Sequence, residues 1–442
     1  MKSLKNIFRL LTAALVLAGV GACCEKHKGD DTGDKYEKVV MLYAAGFNTI
    51  SSYIRVNVDE DLPAGWLPSA NDSKRVMLVF SHFPKVDRNY NKPTAPALFR
   101  MYRQGENVVC DTLLTFPEGT MATQASTLRE VLEFVKEKYD SEEYGMIFSS
   151  HGTGYLPQGY YSTSGNDEKS YSFSSGAERS QRRGYDFGNS ETGVLKTRED
   201  WYDPSMPAVK SVGQEQSGTI GNYTAYEMTP QEFAGAFPMH FKYILFDACF
   251  MGGIEMAYEL KDVCDIMGGS QAEIIAEGFD YTTITNHLLN TKESSPESVC
   301  RDFYERYQNM SGVYRSATIS MVDCRKLDRL AEVCGRIFEN NRSGLEAINA
   351  GKVQKFFRFD DCWFYDLESI VRNSGASQAE LDELQAALDE CVIYKAATDH
   401  FMYYFNIEEF CGFSMCLPCK AGPQLKLYYQ DLAWNRASGL IR

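Results

Sequence analysis

Short apolar runs alternate with amphipathic segments along most of this chain. Lys38 to Ala45 (KVVMLYAA), closed by Gly46, and Arg75 to Phe80 (RVMLVF) are continuous apolar stretches of strand length. Runs of that kind predict strands covered on both faces. Residues 97–104 and 107–116 flank Gly105-Glu106 and predict a hairpin. Between Thr123 and Tyr139, the residues Leu128, Val131, Leu132, Phe134 and Val135 recur at helical spacing. Tyr144 to Phe148 and Tyr243 to Phe246 predict two further buried strands. Pro230 to Phe237 predicts a short helix with Thr229 as its N-cap. Ile254 to Leu260 starts another helix, and Asp265 to Gly268 is a strand. Strand–helix–strand order with fully apolar strands predicts an α/β fold, a mostly parallel central sheet between helices.

Beyond about residue 290 the pattern turns more helical. Residues 294–310 are amphipathic, 317–322 read as a strand, and a helix follows through Leu327, Leu330 and Ile337. A further helix is expected at 377–393, with strands at 411–417 and 424–429. The expected organisation is a core at 38–290 and a C-terminal α/β extension at 291–442 packed on it. Within the core, residues 155–217 are rich in Gly, Ser and Tyr and show no period. Structureless loops of that length are uncommon in compact domains and tend to be functional or disordered.

The N-terminus does not belong to the fold. Lys2, Lys5 and Arg9 precede an apolar run from Leu10 to Val20, then Gly21-Ala22-Cys23. A basic head, a short apolar segment and small residues before a cleavage point predict a secretory signal over 1–22. The run is too short to span a bilayer. A cysteine directly after the small residues resembles a bacterial lipoprotein signal, in which Cys23 would carry the lipid. Residues 23–37 are polar and read as a flexible tether. The expected location is the bacterial cell envelope, lipid-anchored, facing the periplasm or the surface.

The 442 residues carry a formal charge of −15. Loss of Lys2, Lys5 and Arg9 with the signal would take it to −18. That balance argues against a nucleic-acid-binding surface. Thirteen cysteines and only six histidines make the search for nucleophilic chemistry short.

That chemistry gathers at two strand ends, where open α/β sheets build their sites. One is Ile147-Phe148-Ser149-Ser150-His151-Gly152; the other is Ile244-Leu245-Phe246-Asp247-Ala248-Cys249. A thiol attacks as thiolate, and a histidine on a neighbouring strand end can take its proton. The N–H groups of Gly152 and Cys249 could stabilise an oxyanion. His240, His287 and His400 have no ligand partner at i+3 to i+5, so no metal is expected. His82 ends a strand without a following glycine and reads as a packing residue.

These motifs resemble the clostripain-like cysteine peptidases, relatives of caspases, gingipains and legumains. In that family an apolar strand ends in His-Gly, a variable insertion follows, and a second strand ends in Asp-Ser/Ala-Cys. Met251 to Leu260, Gly269 to Glu273, Gly278 to Tyr281 and Asp366-Leu367 also match family blocks, so the resemblance spans roughly residues 38–435. It implies a caspase-like three-layer α/β/α sandwich. It implies a monomer with a peptide or protein substrate, Cys249 as nucleophile and His151 as general acid/base, with hydrolysis through a thioester. It implies Asp247 at the base of a pocket favouring Arg or Lys, and Ser270 and Gln271 along the substrate cleft. Here the acidic residue near that cleft wall is shifted relative to the family's Ser-Glu. Family members often mature by cutting the loop between His and Cys, which makes Arg182-Arg183 the candidate processing site. Some members need calcium, but no calcium loop is visible here, and no cofactor is expected. The rival reading is a lipid-anchored binding protein that keeps the fold without activity.

Overall fold

The computed structural model describes residues 35–87, 89–158, 171–172, 187–189, 215–219, 222–358 and 362–442. The expected signal, Cys23, nearly all of the tether, and Arg182-Arg183 with most of the 155–217 segment lie outside the described residues.

Nine strands form one sheet: β1 (Tyr36–Ala45), β2 (Arg75–His82), β3 (Ala97–Gln104), β4 (Asn107–Thr115), β5 (Ser141–Ser149), β6 (Phe241–Asp247), β7 (Cys264–Gly269), β8 (Thr318–Asp323) and β9 (Val392–Ala397). Their order is β9-β8-β7-β6-β5-β1-β2-β3-β4. The five central strands, β7-β6-β5-β1-β2, run parallel, and antiparallel pairs close both edges. The apolar runs account for this arrangement. Val39 to Ala45 and Val76 to Phe80 are almost wholly shielded, as strands covered on both faces must be. Edge strand β4 keeps only half-buried and exposed positions.

Helix α1 (Ala125–Lys138) buries Leu128, Val131, Leu132 and Val135, the stripe the spacing predicts. Helix α2 (Pro230–Gly235) starts as its sequence predicts. Thr229 accepts from the Glu232 N–H, the Glu232 carboxylate accepts from the Thr229 N–H, and Pro230 needs no donor partner. Helix α3 (Ile254–Glu259) follows β6.

The C-terminal part departs from expectation in two ways. Its strands β8 and β9 pair into the central sheet, and residues 36–442 cluster as one unit. The expected strand at 424–429 is a helix, Pro423–Tyr429. Leu425, Tyr428 and Tyr429 are its buried positions, and their i, i+3, i+4 spacing suits a helix and not a strand. Only Ser414–Met415 of the 411–417 stretch pairs as a strand. The C-terminal edge of the expected 155–217 loop is ordered too. Glu215–Thr219 pairs with Asn222–Tyr226 as a hairpin. Its first residue reaches the core, where Glu215 Oε1 lies 2.7 Å from His82 Nδ1 and Oε2 accepts from the Thr123 N–H. His82 therefore packs, as expected, stacked on Phe47 with ring centroids 4.6 Å apart.

Helix α3 also holds a fully buried carboxyl. Glu255 Oε1 accepts from the Cys416 N–H at 2.8 Å and the Tyr429 hydroxyl at 2.6 Å. Burial outweighs those bonds and pushes its pKa up to about 7. The folded pKa lies above the unfolded one, so between about pH 4.5 and 7 the folded chain keeps a proton that the unfolded chain has lost. Stability must therefore fall as pH rises through that window, by on the order of 3 kcal/mol from this group. Glu255→Gln keeps an acceptor for both donors and removes the charge. It is expected to raise the melting temperature at pH 8 more than at pH 5. Equal shifts at the two pH values would contradict this.

Candidate active site

The register of the parallel strands brings the two expected strand ends together. Asp247 on β6 pairs with Ser149 on β5, and each chain runs two residues further to its reactive side chain. Cys249 and His151 thus leave adjacent strands at the same height. Strand β1 lies on the other side of β5 and sends its following loop over the same edge. From that loop Thr49 Oγ1 lies 3.0 Å from His151 Nε2, a hydrogen bond whose donor depends on the imidazole tautomer. Thr49 carries no sequence signal for this role.

Gly152 fits against the Cys249 backbone. A Cβ on Gly152 would stand 2.2 Å from the Cys249 carbonyl oxygen and 2.9 Å from its nitrogen. Only a glycine lets the two strand-end loops approach so closely. The Cys249 thiol is 0% exposed. Its Sγ accepts from the Ile274 N–H at 3.0 Å, which ties it to the segment after β7. The next residue, Phe250, has φ of 61°, a strained value for a bulky side chain. Its ring is held flat against Phe364 at 4.3 Å and edge-on to Phe357 at 5.4 Å. Phe364 also abuts Gly154 of the histidine loop, so one C-terminal side chain braces both strand ends.

Asp247 is also fully buried. Its Oδ2 accepts from the Ser149 hydroxyl at 3.1 Å and the Tyr281 hydroxyl at 2.8 Å. A Cβ on Gly278, which has φ 68°, would stand 2.3 Å from Asp247 Oδ1, so the glycine leaves room for the carboxylate. Ser270 and Gln271 point inward. Ser270 Oγ bonds the Ala272 carbonyl and Thr318 Oγ1. Gln271 Nε2 donates to Ser320 Oγ at 2.6 Å and the Gly412 carbonyl at 2.8 Å. Both side chains are fully buried and brace the sheet end. Their residue types are legible in sequence; the acceptors, 49 and 141 positions away, are not.

A cleft does open beside His151. Ser150, His151, Gly152, Met228, Phe233 and Met251 are among the residues that line it. Cys249 does not line it. The eleven cysteines among the described residues are free thiols, with Cys110 and Cys419 the exposed ones. No group of three or more His, Cys, Asp or Glu side chains among the described residues is placed to hold a metal ion. No helix among them is long and apolar enough to cross a membrane.

The model of the clostripain family, Peptidase_C11, matches residues 199–431, more than half of the chain, a span that includes Cys249 and begins after His151. An inactive zymogen of a C11 protease from Parabacteroides distasonis is similar in structure. Its TM-score is 0.66 at 23% identity, over 92% of this chain and 99% of that one. A secreted C11 cysteine protease from Bacteroides thetaiotaomicron gives 0.66 at 19% identity, over 92% and 99%. The same kind of enzyme in complex with an irreversible peptide inhibitor gives 0.66 at 20% identity, over 91% and 99%. These likenesses establish the fold, a large sheet flanked by helices. No curated protein matches the chain. The family match settles what the chain is: it belongs to the clostripain family of cysteine peptidases.

Proposed function

We propose that Cys249 is the nucleophile and His151 the general acid/base of this peptidase. The observation that carries the reading is the β5–β6 register with Gly152 seated on the Cys249 backbone. His151 takes the thiol proton, and Sγ attacks the substrate carbonyl carbon. The N–H groups of Gly152 and Cys249 receive the developing oxyanion. Protonated His151 gives its proton to the departing amine, leaving a thioester on Cys249. Water, deprotonated by His151, then releases the acid and restores the thiol. Membership of a peptidase family does not favour the inactive binding protein.

Cleavage after Arg or Lys is the specificity we assign, with Asp247 as its acid. A carboxylate taken out of water favours a cationic side chain that replaces its lost hydration. Activation by a cut within 155–217, at Arg182-Arg183, belongs to the same reading. It suits a thiol that is fully shielded in the uncut chain. Incubating wild type beside Cys249→Ala tests these points together. Wild type alone is expected to fragment in that loop and then to turn over fluorogenic peptides ending in Arg or Lys faster than those ending in norleucine. Equal fragmentation of both proteins, or equal turnover of all three peptides, would sink the corresponding part.

Anchoring through Cys23 completes the proposal. Metabolic labelling with an alkyne fatty acid should mark the wild-type chain and miss Cys23→Ser. Labelling of both would contradict the anchor.

A further inference from the structure

A second buried acid lies closer to the thiol than its sequence position suggests. Glu273 immediately precedes Ile274, the residue whose N–H reaches Cys249 Sγ. Its side chain is 0% exposed. The partner it finds comes from the C-terminal part of the chain. Arg358 Nε stands 3.2 Å from Glu273 Oε2, and the Arg358 side chain is 11% exposed. The neighbouring residue, Phe357, packs on Phe250 directly after the nucleophile, which fixes Arg358 beside the site.

The surroundings of this guanidinium are those of a recognition site. Its carbon lies 5.8 Å from the ring centre of Tyr404, and Tyr404 is 36% exposed. A buried carboxylate and an aromatic face together select a planar cation. Arg358 Nε approaches Oε2 as an ion pair without hydrogen-bond geometry, and neither Glu273 oxygen has a hydrogen-bond donor among the described residues. The acid therefore keeps acceptor capacity that a better-placed guanidinium or ammonium would use. A buried ion pair contributes little net stability compared with apolar packing, so its presence next to the thiol calls for another role.

We propose that Glu273 and Tyr404 form a subsite for a basic substrate side chain, distinct from Asp247, and that Arg358 fills it from within. A substrate with a second Arg or Lys upstream of the cut would displace Arg358. This rests on the reading of Cys249 as the nucleophile, so the test measures binding and not turnover. In a Cys249→Ala background, thermal shifts would be recorded with arginine amide and with citrulline amide, its neutral isostere. Removing Arg358 (Arg358→Ala) should increase the arginine-amide shift over the background at least twofold. Adding Glu273→Gln to that variant should abolish the increase, and citrulline amide should show none. Binding at Asp247 contributes equally to every variant, so the difference between variants reads the subsite. If Arg358→Ala fails to fold, Arg358→Gln keeps the bulk without the charge and should rank the same way. An arginine-amide shift unchanged by Arg358 substitution, or an increase that survives Glu273→Gln, would overturn the proposal. Peptide turnover by wild type and its loss in Cys249→Ala report separately on the catalytic reading.

Discussion

Cys249→Ala is expected to abolish peptide turnover, lowering kcat/KM by at least about 10⁴-fold, while leaving the melting temperature within a few degrees of wild type. The effect on turnover follows from chemistry, since no other group at the β6 end can form the thioester. The mild effect on folding follows from size. Removing one sulfur from a packed site leaves a small gap, and the chief bond it breaks is the one from the Ile274 N–H to the thiol. His151→Ala should reduce turnover by about 10²- to 10⁴-fold, the usual worth of a general acid/base. Thr49 shares a hydrogen bond with that imidazole, so the histidine substitution also removes one tie to the loop after β1. Combining the two substitutions should cost little more than Cys249→Ala alone, because a nucleophile and its base act as one unit. An additive double variant would mean that the two residues work independently.

Gly152→Ala should be nearly as damaging through geometry alone. Its new methyl would meet the Cys249 carbonyl oxygen at 2.2 Å, far inside van der Waals separation. The Cys249 backbone cannot retreat, because Phe250 is pinned between Phe364 and Phe357 and the Phe250 N–H is bonded to the Ala272 carbonyl. The histidine loop must therefore shift away, taking the Gly152 N–H out of line with the oxyanion. Removing one such donor costs about 10²- to 10³-fold in kcat. The added strain should also lower stability by roughly 1–3 kcal/mol. Steady-state kinetics and a denaturant titration together check this. A variant with unaltered kcat would remove Gly152 from the oxyanion reading.

The strand ends can be read from sequence because each is local. An apolar run stops, and the reactive residues stand within the next few positions, as in Phe148-Ser149-Ser150-His151 and Phe246-Asp247-Ala248-Cys249. Parallel pairing then needs only the strand order to bring His151 beside Cys249. What encloses the site is not local. Phe364 reaches Phe250 across more than a hundred residues, Arg358 reaches Glu273, and Glu215 reaches His82 across 133. No periodicity along the chain marks such pairs. The Pro423–Tyr429 helix reads as a strand in sequence for a related reason. In a segment of seven residues, few positions separate a period of two from one of 3.6, and the burial of Leu425, Tyr428 and Tyr429 comes from tertiary packing. Ser270 and Gln271 carry the residue types of a cleft wall, but Thr318, Ser320 and Gly412 claim their hydrogen bonds.

The most direct measurement of the central claim is covalent labelling. Wild type, nicked in the 155–217 loop, would be treated with a peptide acyloxymethyl ketone ending in Arg, and the modified residue located by mass spectrometry. The account predicts one adduct, on fully buried Cys249, formed much more slowly in His151→Ala. An adduct on exposed Cys110 or Cys419 with Cys249 untouched would contradict it, as would peptide turnover that persists in Cys249→Ala.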